Sequence, residues 1–252
     1  MKLFLKIKYD GTNYAGYQVQ NNAPTIQSEL NKATSELFGF KCDITGCSRT
    51  DAGVHATCFC ATVQRHSSDE LETGIPIERI AQALNVRLPD DISVFHAEFV
   101  PSDFHSRYDV KSKTYEYRIL NALYKDPFEL NRAFHFSKVI GDDDLLNMQK
   151  AAHAFCGKND FSAFMAAGSK ITDAVRTVYD CTVQRNGDII TVRITADGFL
   201  YNMVRIICGT LIEVGKGNIS PEDISEIILS RDRKRAGATL PPHGLYLVDV
   251  KY

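Results

Sequence analysis

The segment Gly46-Cys47-Ser48-Arg49-Thr50-Asp51-Ala52-Gly53-Val54-His55-Ala56 separates two stretches of alternating hydrophobicity. That alternation predicts strands near 41–47 and 57–64, with the segment as the loop between them. Gly53 permits a tight backbone path, and a loop on a rigid scaffold is a common place for reactive groups. Asp51 alone has two interpretations: an Asx turn, which its spacing favours, or a reactive carboxylate.

The rest of the chain predicts an α+β fold. Residues 3–9 alternate with lysines like a half-buried strand, and Pro24 suits the first position of a helix that continues to Gly39. Further predicted elements are a helix near 77–87, a strand near 91–99, a helix from 142 to about 155, a hairpin at Asn186-Gly187, helices over about 200–214 and from 220 onward, and a strand over 244–250. Hairpins and helices mix irregularly, so we predict two similar α/β halves, 1–105 and 106–252, with antiparallel sheets flanked by helices.

Composition and charge narrow the class of protein. Of the 252 residues, 44% are hydrophobic and 24% are charged, the balance of a folded protein. No uninterrupted apolar run reaches the roughly 18 residues of a membrane span, and no signal-peptide cleavage site follows the first strand. We therefore expect a cytoplasmic protein with no membrane partner. The formal net charge of -2 argues against nucleic-acid binding through bulk charge, so an RNA-binding surface has to be local.

The seven cysteines indicate a reducing compartment rather than a disulfide framework. Cys42, Cys47, Cys58 and Cys60 have the spacing C-x4-C-x10-C-x-C. Structural zinc sites typically contain C-x2-C pairs, which this cluster lacks. We therefore expect small buried thiols and no metal.

Three further residues, Arg205, Tyr115 and Tyr117, are candidates for catalysis or substrate binding. Arg205 is the only charged residue over 198–212, and a guanidinium on an apolar helix is costly unless a carboxylate meets it. Its predicted acidic partner is either a carboxylate in a structural ion pair or a catalytic aspartate that Arg205 holds through paired hydrogen bonds. Tyr115 and Tyr117 share one face of a predicted strand, where they either pack or stack on a base.

Segment 47–56 closely resembles the signature of the tRNA pseudouridine synthase A family, and the likeness continues in order along nearly the whole chain. The other matching motifs are Tyr9-Asp10-Gly11-Thr12 with Tyr14 and Gly16, Thr25-Ile26-Gln27, Asn85-Val86-Arg87-Leu88-Pro89, Asp103-Phe104-His105-Ser106-Arg107, Lys113-Thr114-Tyr115-Glu116-Tyr117, Asn159-Asp160-Phe161-Ser162, Phe199 with Met203-Val204-Arg205, and His243-Gly244-Leu245-Tyr246-Leu247. One such motif arises by chance; this many in the right order do not.

The resemblance implies a role for each matched residue. Asp51 matches the catalytic aspartate that attacks the target nucleoside, and Arg49 matches the arginine that inserts where the target base was. Tyr115 matches the tyrosine that stacks on the flipped uracil, and Arg205 matches the arginine that pairs with the catalytic carboxylate. The resemblance also implies a basic catalytic cleft between the two halves, a homodimer, and uridines 38, 39 and 40 of the tRNA anticodon stem-loop as substrates.

The chemistry of this reaction agrees with the residue types. Converting uridine to pseudouridine breaks the C1′–N1 bond, rotates the uracil and joins C1′ to C5, so no cofactor or metal is required. The base must leave its stack, and a carboxylate can then attack C1′ or take the C2′ proton. Tyr115 is a candidate for removing the C5 proton or for stacking alone. His55 and Arg107 are further candidate substrate-binding residues.

Two positions depart from the family pattern. Tyr17 stands where the family usually has tryptophan, which is expected to repack one structural site. Ser48 stands where members commonly have glycine before the Arg-Thr-Asp triplet, and it narrows the backbone freedom that presents Arg49. Both changes bear on specificity more than on the nucleophile.

Three alternatives are open. A zinc nucleobase deaminase would explain His96-Ala97-Glu98, but the P-C-x-x-C that supplies the other ligands is missing from the sequence. A related synthase could act on a different uridine. A non-catalytic tRNA-binding or chaperone protein could keep the same scaffold, although the presence of both Asp51 and Arg205 favours an enzyme.

Overall fold

The computed structural model describes residues 1–168 and 172–252, which form two compact units. Unit 1 comprises Met1–Lys111 and Tyr246–Tyr252, and unit 2 comprises Ser112–Leu245. The sequence placed the division after residue 105 and assigned residues 246–252 to the second half. The structure divides the chain after Lys111 and groups Tyr246–Tyr252 with unit 1, because that strand pairs with a distant strand of unit 1.

The described residues contain ten strands and five α-helices. The strands are β1 (Lys2–Tyr9), β2 (Cys42–Gly46), β3 (His55–Arg65), β4 (Ile92–Val100), β5 (Ser112–Leu120), β6 (Phe134–His135), β7 (Gly157–Asp160), β8 (Val175–Asn186), β9 (Ile189–Ala196) and β10 (Leu245–Lys251). The helices are α1 (Ile26–Phe38), α2 (Ile77–Asn85), α3 (Asp142–His153), α4 (Met203–Gly215) and α5 (Asp223–Ser230). Short 3-10 helices cover Pro127–Glu129, Ser162–Phe164, Arg233–Arg235 and Pro242–Gly244.

The sheet of unit 1 is organised around β3. Strand β1 pairs antiparallel with β3 and with β4. The other edge of β3 is shared: β2 pairs antiparallel with its second half, and Tyr246 and Leu247 of β10 pair parallel with His55 and Ala56. The beginning of β3, directly after the loop that carries Asp51, is therefore held between β1 and β10.

Helix α1 begins at a side-chain cap. The Thr25 hydroxyl accepts the Ser28 N–H, and the Ser28 hydroxyl accepts the Thr25 N–H, which satisfies two of the N–H groups at the helix start. Pro24 therefore lies before the cap and not at the first helical position predicted from the sequence. Gly39 ends the helix in the left-handed conformation, with φ of 74°.

Unit 2 contains the antiparallel sheet β5–β9–β8–β7, with β6 parallel to β5. The predicted hairpin is present: Asn186 pairs with Ile189, and Gly187 supplies the positive φ of 57° that the tight turn requires. Helix α4 is almost entirely buried, and Arg205 and Glu213 are its half-buried residues.

The observed elements confirm the predicted α+β class with predominantly antiparallel pairing. Across the two described stretches, none of the helices has the length and apolar character needed to cross a bilayer. All seven cysteines are thiols; Cys58 and Cys156 are half-buried and the others are buried.

Candidate active site

The loop that carries Asp51 is anchored through its neighbour Thr50. The Thr50 side chain is buried, and its Oγ1 lies 2.8 Å from the hydroxyl of Tyr9 at the end of β1. The Thr50 carbonyl accepts the Tyr17 N–H at 3.0 Å. Buried hydrogen bonds on both sides of one residue leave the backbone little freedom, so Asp51 starts from a fixed position.

Three glycines allow segment 11–17 to pack directly on this loop. A Cβ on Gly11 would lie 2.0 Å from the Val54 carbonyl oxygen, and one on Gly16 would lie 2.7 Å from the Thr50 oxygen. Gly53 has φ of 76°, donates to the Tyr14 carbonyl at 3.4 Å, and lies in the turn closed by the Val54 N–H and the Asp51 carbonyl at 3.2 Å. The motif at 9–16 therefore supports the backbone of the loop that carries Asp51.

Asp51 and Arg49 differ from Thr50 in exposure. Asp51 is half-buried and Arg49 is exposed, whereas Thr50 between them points into the core. A carboxylate on a fixed backbone, partly accessible from outside, can reach a nucleoside brought to the surface.

His55 occupies the interior beneath the loop. Its ring is 2% exposed and stacks on Tyr246 with centroids 4.6 Å apart. Its Nδ1 accepts the Gly11 N–H at 3.1 Å and also lies 3.1 Å from the Asp10 carboxylate. This burial favours a positioning role for His55, in place of the direct substrate contact expected from the sequence.

Tyr115 and Tyr117 lie on β5 in unit 2 and have different surroundings. Tyr117 is fully buried, and its hydroxyl donates to the Pro241 carbonyl at 2.7 Å, which marks it as structural. Tyr115 is 7% exposed and packs edge-on against Phe199, with centroids 5.0 Å apart. The Phe199 contact fixes the plane of the Tyr115 ring, as a stacking role would need.

Arg205 is half-buried on α4 and is oriented by neighbours in unit 2. Its Nε donates to the Leu240 carbonyl, and its Nη1 donates to Asn202 Oδ1, both at 2.6 Å. These bonds fix the plane of the guanidinium, which is how an arginine is prepared for paired contact with a carboxylate. Its pairing with Asp51 stays a prediction.

We expect Arg205→Leu to impair both folding and turnover, and Arg205→Lys to impair both to a smaller extent. Lysine keeps the charge but loses the fork that binds Leu240 and Asn202, so we expect unfolding free energy to fall by about 2 kcal/mol and kcat by about tenfold. Denaturant titration and single-turnover kinetics measure the two effects. Arg193→Lys, on the exposed side of β9, should change neither; unchanged folding and turnover in Arg205→Leu would contradict the burial argument.

Arg107 belongs to unit 1 and is half-buried. The residue before it, Ser106, is fully buried, and its hydroxyl donates to the Thr45 carbonyl at 2.6 Å. The Ser106 carbonyl accepts the Tyr252 hydroxyl at 2.7 Å. These contacts fix segment 104–108 beside β2 and close to Arg49.

Sequence reasoning missed several residues that build this site. Tyr9 and Thr50 form a buried hydroxyl pair, and Tyr14 donates to Asp91 at 2.5 Å. Gly11 and Gly16 were recognised as parts of a motif but not as close backbone contacts. The available signal was the pair of glycines, Gly11 and Gly16, between Tyr9 and Tyr17.

The residues considered for a deaminase do not form a metal site. His96 Nε2 lies 3.3 Å from Glu98 Oε1, with both side chains exposed on β4. Over residues 1–168 and 172–252, no three His, Cys, Asp or Glu side chains are grouped closely enough to hold a metal ion.

The family profile described as tRNA pseudouridine synthase matches residues 6–109 and 151–252, and the chain belongs to this family. Its members are isomerases that modify tRNA, and this confirms the resemblance noted in the sequence. Curated relatives named tRNA pseudouridine synthase A are 47% identical over 248 residues in Acetivibrio thermocellus and 45% identical over 250 residues in Thermoanaerobacter pseudethanolicus. The match covers 98% of both chains in the first case and 99% in the second.

Proposed function

We propose that this tRNA pseudouridine synthase isomerises uridines 38, 39 and 40 of the anticodon stem-loop, with Asp51 as the nucleophile. The observation that carries the proposal is the anchored, partly accessible carboxylate in the loop between β2 and β3, fixed by Thr50, Tyr9 and Tyr17. The full-length similarity to relatives named tRNA pseudouridine synthase A supports the substrate class. We place the reaction in the cytoplasm because the substrate is tRNA.

The other matched residues have complementary roles in this proposal. Arg49 is exposed beside Asp51, so it can enter the stem and take the position of the flipped base. Tyr115, with its ring plane fixed by Phe199, stacks on the uracil while the glycosidic bond is broken. Arg205 keeps the Asp51 carboxylate ionised and aimed. The chain supplies a nucleophile, an aromatic surface and cations, which suffice for an isomerisation without net redox change.

The test is release of tritium from C5-labelled uridine in a tRNA transcript. Wild-type protein should release tritium from this transcript. Replacing the uridine at position 38, 39 or 40 by cytidine should lower the total release by the amount that comes from that uridine. Release that persists when all three uridines are replaced would favour a related synthase with a different target. Binding of tRNA with no release from any transcript would favour a non-catalytic tRNA-binding protein.

We propose that the active form is a homodimer. Unit 2 exposes several large apolar side chains close together in sequence, between 61% and 84% accessible: Leu123, Tyr124, Phe128, Leu130 and Val139. An exposed apolar cluster of this kind is typical of a protein interface, and a second copy of this chain is the occupant that the family resemblance implies.

The expected mass in solution is twice the 28.2 kDa of one chain. Replacing both Phe128 and Leu130 by aspartate should weaken the dimer at least about tenfold, because the charged groups would be desolvated in the interface. Sedimentation equilibrium measures the change. The matched control is Leu229→Asp, at an apolar residue on α5 that is 79% exposed. A wild-type monomer, or equal effects of both changes, would contradict the assignment.

A further inference from the structure

A small polar cavity opens beside the Asp51 loop in unit 1. Its volume is about 180 Å³. Its lining contains two arginines, Arg49 and Arg107, and no acidic side chain. A concave site with this charge balance favours an anion.

The two arginines of this cavity lack protein acceptors. Throughout the described stretches, neither the Arg49 nor the Arg107 guanidinium forms a hydrogen bond or an ion pair. Arg205 and Arg233, in contrast, are bonded to backbone oxygens. Ten N–H donors on two neighbouring guanidinium groups are thus available to a ligand.

Tyr17 provides a second, independent indication. The side chain is 1% exposed and stacks on Phe59, and its hydroxyl is buried without a hydrogen-bond partner among the described residues. Burying a hydroxyl without a partner is unfavourable, so a ligand that accepts its hydrogen bond is favoured. Arg107 is near enough to oppose the rise in the Tyr17 pKa that burial causes. Tyr17 and Arg107 line the same cavity, so the phenol can act as a neutral third donor beside the guanidinium groups.

The walls of the cavity are rigid. Gln27 Nε2 donates to the Ile44 carbonyl at 2.8 Å, and its Oε1 accepts the Val19 N–H at 3.0 Å. Gly46 lets the Tyr17 ring approach, since a Cβ there would lie 2.6 Å from two ring atoms. Ser106 fixes the backbone next to Arg107, because its hydroxyl donates to the Thr45 carbonyl. Walls that are rigid before binding lose little conformational entropy when a ligand binds.

We infer that this cavity binds one backbone phosphate of the RNA substrate next to the flipped uridine, with the fixed Tyr17 hydroxyl and the Arg107 guanidinium as donors and Arg49 at its rim. The inference rests on the proposed function, because Asp51, two residues after Arg49, must reach the ribose of that uridine. Tyr17 is the position where the family usually has tryptophan, so the phenol donor is a property of this chain. Holding the phosphate keeps the backbone in register while Arg49 fills the vacated stack.

A double-mutant cycle between protein and RNA tests the phosphate contact. Single phosphates of an anticodon stem-loop are replaced in turn by neutral methylphosphonate, and binding is measured for wild type and Arg107→Gln. We expect Arg107→Gln to weaken binding of the natural RNA about tenfold and to reduce the slope of log K against log salt by about 1. At one phosphate beside the target uridine, the two changes should be non-additive, because each removes the same contact.

Arg79→Gln, on the exposed face of α2, is the matched control for loss of one positive charge. It should leave binding within about twofold and couple to no phosphate. Additive effects of Arg107→Gln at every phosphate would overturn the inference. Competition by millimolar inorganic phosphate, with no coupling to any methylphosphonate, would assign the cavity to free phosphate and also overturn it.

Tyr17→Phe separates a ligand contact from a packing role. Removing an unsatisfied buried hydroxyl should leave Tm unchanged or raise it, while tRNA binding weakens about three- to tenfold. A fall in Tm with unchanged binding would show that the hydroxyl is structural. Tritium release by wild type is measured alongside: release with no coupling refutes the phosphate site alone, whereas no release refutes the proposed function.

Discussion

Asp51→Ala is expected to abolish tritium release, with kcat lowered by at least about a thousandfold, while tRNA binding stays within a few-fold of wild type. In the proposed mechanism the Asp51 carboxylate forms or breaks bonds at the ribose, so its removal leaves the bound RNA without a nucleophile. Thr50 and Val54, which fix the loop, are untouched by the change, so the fold should survive. Single-turnover tritium release and filter binding on the same preparations measure the two quantities.

The matched controls are Asp51→Asn and Asp69→Ala. Asparagine keeps the shape and the turn chemistry but not the charge, so it should be as inactive as alanine. Asp69 is an exposed carboxylate in the same unit, and its loss should leave kcat unchanged. Activity in Asp51→Asn above about a tenth of wild type would make Asp51 a turn residue and not the nucleophile.

Gly11→Ala should reduce both stability and turnover, although residue 11 lies outside the catalytic loop. The added methyl would lie 2.0 Å from the Val54 oxygen and 2.7 Å from the Val54 carbonyl carbon, and backbone atoms cannot rotate away as a side chain can. We expect a loss of about 3 kcal/mol or more in unfolding free energy. At about 2–4 °C per kcal/mol, Tm should fall by about 6–12 °C or more.

Turnover should fall about a hundredfold even well below the new Tm, because moving Val54 displaces Asp51 by a fraction of an ångström to an ångström. Thermal melts and tritium release at low temperature distinguish the two effects. Gly74→Ala is the control: a Cβ at Gly74 meets nothing within 4 Å, so the change should stay within about 0.5 kcal/mol. Wild-type Tm and turnover in Gly11→Ala would refute the close approach of these two segments.

Local patterns were sufficient to predict most of the secondary structure. Strand alternation gave β1 to β4, and helical spacing gave α1, α2 and α4, because each signal lies within one element. The start of α1 was misplaced by a residue or two, since a Thr25 hydroxyl that reaches Ser28 defines the helix start better than a preceding proline. The assignment of residues 246–252 to unit 1 depends on pairing with His55 and Ala56, far away in sequence, and no local pattern encodes it.

The site was predictable to a smaller extent. Alternation located the loop, whereas Arg205 and above all the family resemblance favoured a catalytic Asp51 over an Asx turn. The contacts that hold the loop, such as Tyr9 with Thr50 and Gly11 with Val54, join segments more than forty residues apart in the chain. The unsatisfied hydroxyl of Tyr17 is also a property of packing: the sequence showed a substitution at that position, and the structure showed what it leaves unpaired.

The pairing of β10 with β3 has a consequence for the order of events on the ribosome. Residues 246–252 are synthesised after the whole of unit 2, yet Tyr246 stacks on His55 and Leu247 pairs with Ala56 directly behind the Asp51 loop. During translation, the edge of β3 that pairs with β10 stays unpaired by β10 while residues 112–245 are synthesised. The backbone directly after the Asp51 loop therefore acquires its complete support only when this late-synthesised strand has docked.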